Sequence, residues 1–247
     1  MQPSASAKIT LFQTFSLAFL VLVVYVFLQT SVLQHFVDAK LATLPESTDR
    51  AGVLNLLRYD ATVLSYIEII GGTLSTLFLV ALLRLRKIAV IPYLRLYPVK
   101  HQDWINGVSL LAGFIAVLSI IGWLVSYERP EFMQRLWQSC DNILLLLIAV
   151  AIIAPIFEET LFRGLLFNGI QESQLGTGAA IVLTAGLWAM IHAQYTAFDQ
   201  VSIFLLGIIF ALVRISSGSL VLPIALHSLF NTFAILEMAM FAENVAQ

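Results

Sequence analysis

Seven long apolar runs divide the chain, and the charged residues lie mostly in the shorter segments between them. The runs are continuous, unlike the alternating apolar and polar pattern of a membrane β-strand. A transmembrane helix needs about 20 mostly apolar residues to cross about 30 Å of hydrocarbon, and runs of this kind are typical of it. The predicted helices are Ile9–Leu33, Ala61–Leu83, Ile105–Val125, Ile143–Phe167, Ala179–Thr196, Val201–Val213 and Leu220–Phe241.

Composition agrees with this pattern. The chain is 60% hydrophobic and 11% charged, whereas an ordinary soluble domain has roughly 25% charged residues. Its net charge of −2 provides no basic surface for nucleic acid, and a single cysteine, Cys140, excludes an intramolecular disulfide. We therefore predict an all-α fold, a polytopic membrane helical bundle of about seven transmembrane helices in the lipid bilayer of a cell membrane.

Positive charge indicates how the bundle is oriented. The segment Arg84–Lys100 contains five lysine or arginine residues and no acidic residue. The positive-inside rule predicts that this segment is cytoplasmic. Alternation of the helices then predicts that the N-terminus, with Lys8, is cytoplasmic as well.

Ionisable and polar side chains interrupt several predicted helices. Placing an ionisable group inside a membrane costs at least about 2.5 kcal/mol, so such residues are candidates for function. Residues four apart share a helix face, so each helix presents one polar stripe. Counted from the turns at Leu175–Gly178 and Ser216–Gly218, the stripes reach a similar depth, which predicts one shared site. The candidates are Glu158, Glu159 and Arg163 on the fourth predicted helix, Trp188 and His192 on the fifth, and His227 and Asn231 on the seventh.

These residue types favour hydrolysis by an activated water, because no serine or cysteine nucleophile lies at a matching depth. A carboxylate can take a proton from water, a histidine can position that water, and neutral donors can stabilise the oxyanion. Glu158 and Glu159 are turned about 100° from each other, so they can have different roles. Two histidines and a carboxylate can also bind zinc, so a zinc site formed by Glu158, His192 and His227 stays open.

Three motifs resemble those of the CPBP family, the CAAX-processing and bacteriocin-processing intramembrane endopeptidases also called the Abi family. They are EETLFR from Glu158, WAMIH from Trp188 and HSLFN from His227, and they cover roughly the last third of the chain. Trp188 departs from the family, which usually has phenylalanine there. The resemblance implies cleavage of a membrane peptide or lipid-modified protein in a bacterial plasma membrane. It implies that Glu158 is the general base and that His192 helps to hold the water. It also implies that His227 and Asn231 stabilise the oxyanion. Glu159 and Arg163 would form the pair that structures the site.

Glu68 is a further carboxylate in an apolar stretch, on the second predicted helix and just before the sequence IIGG. It can belong to the site, hold two helices together, or lie close to the membrane boundary. We favour a structural role.

We expect a single membrane domain over residues 1–247. Residues 1–142 would hold the first three helices and their loops, and residues 143–247 the catalytic core. Two other classes of protein stay open. A non-catalytic scaffold or immunity protein of the same fold would be expected to carry damaged motifs, and none is seen. A proton-coupled transporter also buries carboxylates and histidines, but the chain has no inverted repeat. The sequence does not indicate an oligomeric state.

Overall fold

The computed structural model of the chain describes residues 9–245, with side chains described as far as Met240. Lys8, which is predicted to be cytoplasmic with the N-terminus, lies outside the described residues. The helices are α1 (Leu11–Leu41), α2 (Arg50–Leu57), α3 (Ala61–Leu85), α4 (Val90–Leu94), α5 (His101–Leu124), α6 (Glu131–Gln138), α7 (Ile143–Gln171), α8 (Gly176–Met190), α9 (Ala197–Ser217) and α10 (Val221–Val245).

Within the described residues, six helices are long and apolar enough to cross a membrane, namely α1, α3, α5, α7, α9 and α10, and α8 is a shorter apolar helix. The same residues contain no β-strand. The predicted all-α polytopic bundle is therefore confirmed, and the chain is a multi-pass membrane protein. The short helices α2, α4 and α6 were not predicted, because they are only eight, five and eight residues long and carry too little periodic pattern.

The helix that carries Trp188 is shorter than predicted, since α8 ends at Met190 and not at Thr196. The His192 backbone N–H donates to Ala189 O at 3.1 Å, and the His192 ring Nδ1 lies 2.8 Å from Trp188 O. The ring thus occupies the carbonyl to which a continuing α-helix would hydrogen-bond the His192 backbone. His192 therefore lies just beyond the helix, and the prediction that it lies on the helix is wrong.

Contacts between loops define two ends of the bundle. At one end, Ser219 Oγ donates to Tyr97 O at 2.6 Å, so the turn between α9 and α10 lies against the segment Arg84–Lys100. We call this the basic end. At the opposite end, the Ala61 N–H donates to Ser139 Oγ at 2.9 Å, which joins the start of α3 to the end of α6. We call this the distal end, and it also holds the segment between α8 and α9.

Helix α7 is the centre of the bundle. In its most apolar 18-residue window 44% of the residues are buried, against 11% in the corresponding window of α5. It packs against α1, α3, α8, α9 and α10. Helix α5 instead lies at the edge, and its buried residues, Gly107 and Leu111, lie in the half nearer the basic end. Residues on α7 can therefore meet side chains from several other helices at once.

Gly169 lets α7 and α1 approach closely. A Cβ atom at Gly169 would lie 1.9 Å from Thr14 Oγ1 and 2.6 Å from Thr14 Cβ, whereas one at Gly113 of α5 would have no neighbour within 4 Å. Thr14 is fully buried. The contact therefore requires a residue without a side chain on α7.

We expect Gly169→Ala to lower the free energy of unfolding by about 1–3 kcal/mol, because overpacking forces the two helices apart. Thermal unfolding of the purified protein in detergent measures this loss. Gly113→Ala is the matched control and should unfold at the wild-type temperature or slightly above it. Equal unfolding temperatures for the two variants would contradict a close contact between α1 and α7.

Candidate active site

A buried charge network lies beneath the candidate site. Glu159 and Arg163, one turn apart on α7, are both fully buried, and Arg163 Nη1 donates to Glu159 Oε1 at 2.8 Å. Arg163 Nη2 donates to Gly207 O of α9 at 3.1 Å, and the guanidinium lies 4.6 Å from the Trp188 ring centroid. Burying two charges is costly unless they are paired, and here the pair offsets part of that cost, while Glu159 Oε2 and Arg163 Nε have no hydrogen-bond partner among the described residues. The network therefore connects α7 to α8 and α9.

His227 joins α10 to this network. Its Nδ1 lies 3.1 Å from Glu159 Oε1. An ionised carboxylate only accepts hydrogen bonds, so Nδ1 carries the proton in this contact and Nε2 is left as an acceptor. The His227 ring is stacked on Phe210 at 5.2 Å between centroids and meets the edge of Trp188 at 5.1 Å. These contacts hold the ring in one orientation.

Glu158 faces a different environment from Glu159. Its side chain is 13% exposed, whereas that of Glu159 is fully buried. Trp188 Nε1 donates to Glu158 Oε2 at 2.5 Å, and His227 Nε2 lies 3.9 Å from the same oxygen. Glu158 therefore offers a carboxylate to the cavity above the buried network, next to the acceptor nitrogen of a histidine.

His192 also lines the cavity. The hydrogen bond of its Nδ1 to the Trp188 carbonyl requires the proton on Nδ1, which leaves Nε2 as an acceptor. Its ring meets Trp188 edge-on at 5.3 Å between centroids. The indole of Trp188 thus separates the two histidines and holds Glu158 as well.

Asn231 is held by an irregularity of α7. The segment Ile148–Ile153 is π-helical, and Ala154 N–H donates to Ala149 O. Val150 O receives neither this bond nor one from Pro155, which has no N–H. Asn231 Nδ2 donates to Val150 O at 2.8 Å and satisfies it. A second π-helical segment, Thr160–Leu166, follows the two glutamates, and such segments are frequent at functional sites.

The candidate residues Glu158, Trp188, His192, His227 and Asn231 line one cavity of about 830 Å³, a volume that suits a peptide segment. The cavity continues toward the distal end, where its lining includes Gly122 near the end of α5, Tyr127 after α5, Phe132 of α6 and Tyr195 before α9. The cavity thus extends away from the basic end.

Two lining residues were not placed at the site by the sequence. Glu68 of α3 lines the same cavity, and its charge in an apolar run was the signal that could have assigned it there. Tyr195 lies at the end of the predicted run Ala179–Thr196, and an uncharged aromatic residue there gave no such signal. Burial, with the nearby charges of Glu158 and Asp199, raises the pKa of Tyr195 well above its usual value, so the residue stays a neutral phenol.

A zinc site does not fit these side chains. Zinc in a catalytic site takes three protein ligands at about 2.0–2.2 Å. Among residues 9–245 no group of three or more His, Cys, Asp or Glu side chains is placed to hold a metal ion. Glu158, His192 and His227 therefore do not form a set of zinc ligands in this arrangement.

A family model described as type II CAAX prenyl endopeptidase Rce1-like matches residues 141–233. The chain belongs to the Rce1-like family. The match runs from just before α7 to His227 and Asn231 on α10, and it includes every candidate residue except Glu68. At the level of the family, the Rce1-like chain is a CAAX-type intramembrane protease.

An uncharacterized 24.3 kDa protein of Escherichia coli is similar to this Rce1-like chain. The two are 33% identical over 147 residues, which cover 56% of this chain and 68% of the other protein. No solved structure matches the chain.

We expect Arg163→Met to lower the free energy of unfolding by about 3–5 kcal/mol, because it leaves Glu159 as an uncompensated buried charge. Thermal unfolding and the yield of monodisperse protein measure the effect. Arg135→Met is the matched control, since Arg135 and Glu131 form a pair of the same four-residue spacing that is at least half exposed. An exposed pair contributes at most about 1 kcal/mol.

The double variant Glu159→Gln, Arg163→Met should recover part of the loss, because no unpaired charge is then buried. Equal stability of Arg163→Met and Arg135→Met would contradict a stabilising role for the buried pair.

Proposed function

We propose that the protein is an intramembrane endopeptidase in which Glu158 activates a water molecule to cleave a peptide bond. One observation supports this most directly. Glu158 Oε2 and His227 Nε2 lie 3.9 Å apart at the wall of a cavity large enough for a peptide. A single water can reach both atoms at hydrogen-bond distance.

In the proposed mechanism, the water donates one hydrogen bond to Glu158 and the other to His227 Nε2. Its remaining lone pairs can then face the carbonyl carbon of the scissile bond. Glu158 takes a proton from the water as the new carbon–oxygen bond forms. The same proton passes to the leaving nitrogen as the carbon–nitrogen bond breaks, so Glu158 returns to its ionised form.

Asn231 and His192 would hold the substrate. Asn231 uses one of its two amide hydrogens on Val150 O, and the second can donate to the oxyanion that develops on the scissile carbonyl. Nε2 of His192 can accept a hydrogen bond from a substrate backbone N–H. In this assignment His227 holds the water. The resemblance to the family instead implied that His192 holds the water and that His227 stabilises the oxyanion.

Glu159 and Arg163 would act indirectly. Glu159 holds the proton of His227 on Nδ1, so that Nε2 stays an acceptor toward the water. Arg163 pairs with Glu159 and compensates its buried charge. Trp188 orients Glu158 through the hydrogen bond from its indole.

We propose a membrane-embedded or lipid-modified peptide as the substrate. The cavity extends toward the distal end of the bundle, opposite the segment Arg84–Lys100. If that segment is cytoplasmic, as the positive-inside rule predicts, the substrate enters from the non-cytoplasmic side of the membrane. A bacterial plasma membrane protein of this orientation would act on peptides that have already been inserted or exported.

We expect Glu158→Gln to reduce peptide hydrolysis by about 10²–10⁴-fold, because the amide cannot take the proton of the water. Thermal stability should stay close to the wild-type value, since the amide oxygen still accepts the Trp188 N–H. Turnover of quenched fluorescent membrane peptides in proteoliposomes measures the loss. Glu172→Gln, in the exposed turn after α7, is the control and should retain full activity. Undiminished hydrolysis by Glu158→Gln would remove the proposed base.

We expect removal of divalent metal ions to leave hydrolysis unchanged, because the site lacks a convergent set of metal ligands among the described residues. Protein dialysed against a strong chelator should keep its turnover and contain less than one equivalent of metal by elemental analysis. Loss of activity that zinc alone restores would overturn the mechanism without a metal.

A further inference from the structure

Glu68 of α3 forms part of the wall of the cavity that α7 also lines. Tyr25 OH donates to Glu68 Oε2 at 2.8 Å, and Gln29 Nε2 donates to Glu68 Oε1 at 3.1 Å. Both donors come from α1, and each carboxylate oxygen accepts one hydrogen bond. Glu68 lines the same cavity as Glu158. Its role is therefore not limited to pairing α3 with α1.

Two glycines hold Glu68 close to the site. A Cβ at Gly71 would lie 3.4 Å from Gln29 Cγ, and one at Gly72 would lie 2.9 Å from Ile153 Cγ2. Helix α3 therefore packs tightly against both α1 and α7. Gly72 is one helical turn from Glu68 and shares its face. This packing explains the pair of glycines in the sequence IIGG.

The Tyr25 side chain contacts both Glu68 on α3 and Phe157 on α7. Its ring packs against Phe157, the residue before Glu158, at 4.3 Å between centroids. Its hydroxyl holds Glu68. The position of Glu68 relative to Glu158 is thus set by packed rings and hydrogen bonds.

The cavity has an excess of negative charge. Its ionisable lining residues besides the histidines and tyrosines are Glu68, Glu158, Asp199, Glu237 and one cation, Arg129. Arg129 Nη2 lies 3.2 Å from Glu237 Oε1, and Asp199 accepts a hydrogen bond from Tyr127 OH at 2.6 Å.

Glu68 has no positively charged partner among the described residues. No lysine or arginine forms an ion pair with Glu68 within the part of the chain that the structure describes. A carboxylate at this depth is costly unless a cation accompanies it. A cationic group in the cavity would supply the missing charge.

We propose that Glu68 binds a lysine or arginine side chain of the substrate within a few residues of the scissile bond. The substrate is then a basic membrane-associated peptide, and Glu68 is a specificity-determining residue. This inference rests on the proposed function, because it names the substrate class of the same cavity. The ammonium or guanidinium group would take the remaining lone pairs of Glu68 while Tyr25 and Gln29 keep the carboxylate in place.

The test compares peptides that are identical except at one position near the cleavage site, which holds lysine, norleucine or glutamate. Norleucine keeps the aliphatic stem of lysine without its charge. We expect wild-type protein to prefer lysine over norleucine by about tenfold or more in kcat/KM, mainly through a lower KM. Glu68→Gln should bring this ratio close to one, and Glu68→Lys should reverse the preference toward glutamate. Tyr25→Phe should reduce the ratio partly, and Glu172→Gln should leave it unchanged.

A binding measurement separates this inference from the proposed chemistry. In the Glu158→Gln background, the Kd of the lysine and norleucine peptides is measured by fluorescence in nanodiscs, with and without Glu68→Gln. If Glu68→Gln weakens the binding of the lysine peptide but not that of the norleucine peptide, the inference is supported even if no peptide is cleaved. Equal affinity of the two peptides, or a lysine preference that survives Glu68→Gln, overturns it. If no peptide is cleaved but the lysine peptide still binds more tightly than the norleucine peptide, the proposed hydrolysis is contradicted and the binding of a basic ligand is supported.

Discussion

Glu159 and Arg163 lie one turn apart on α7 with no exposure to solvent, and three of the surrounding helices contact one of them. Arg163 reaches the α9 backbone at Gly207 and the ring of Trp188 on α8, while Glu159 reaches His227 on α10. A buried ion pair is costly, and further contacts of its charged groups offset part of that cost. The contacts made here bring three helices to α7 in one relative position. The side chains that line the cavity are thereby held in fixed positions next to the ion pair.

A second constraint comes from the backbone of α7. A proline inside a helix leaves a carbonyl without its donor, and in a membrane this carbonyl needs another partner. Here the π-helical turn and Pro155 together leave Val150 O for Asn231. An irregularity that costs stability in α7 is thus offset by a side chain that the proposed mechanism uses for the oxyanion.

The three carboxylates of the site differ because their surroundings differ. Glu159 is neutralised by Arg163 and serves to hold His227. Glu158 has a neutral indole donor and a neighbouring histidine nitrogen, which suits a base in the proposed hydrolysis. Glu68 has two neutral donors from α1 and no basic side chain paired with it among the described residues, which suits the binding of a cation. Burial alone would not distinguish these roles, since it is the identity of each partner that does so.

The sequence by itself determined the helical membrane fold, because long apolar runs can satisfy their backbone groups in lipid only as helices. It also indicated Glu158, Glu159, Arg163, His192, His227 and Asn231 as candidate site residues, because charge or polarity in an apolar run is costly and stands out. The four-residue spacing indicated that Glu159 lies beside Arg163. These inferences depend on composition and on contacts within one helix.

Only the tertiary structure decided the rest. His192 lies beyond the end of α8, His227 bonds Glu159 through Nδ1, Asn231 bonds Val150, and Glu68 faces the same cavity as Glu158. The direction in which the cavity extends belongs to this group too. Each of these features depends on how helices far apart in the chain rotate and pack against one another. Apolar surfaces of similar composition do not specify that rotation, whereas the buried polar contacts between helices do.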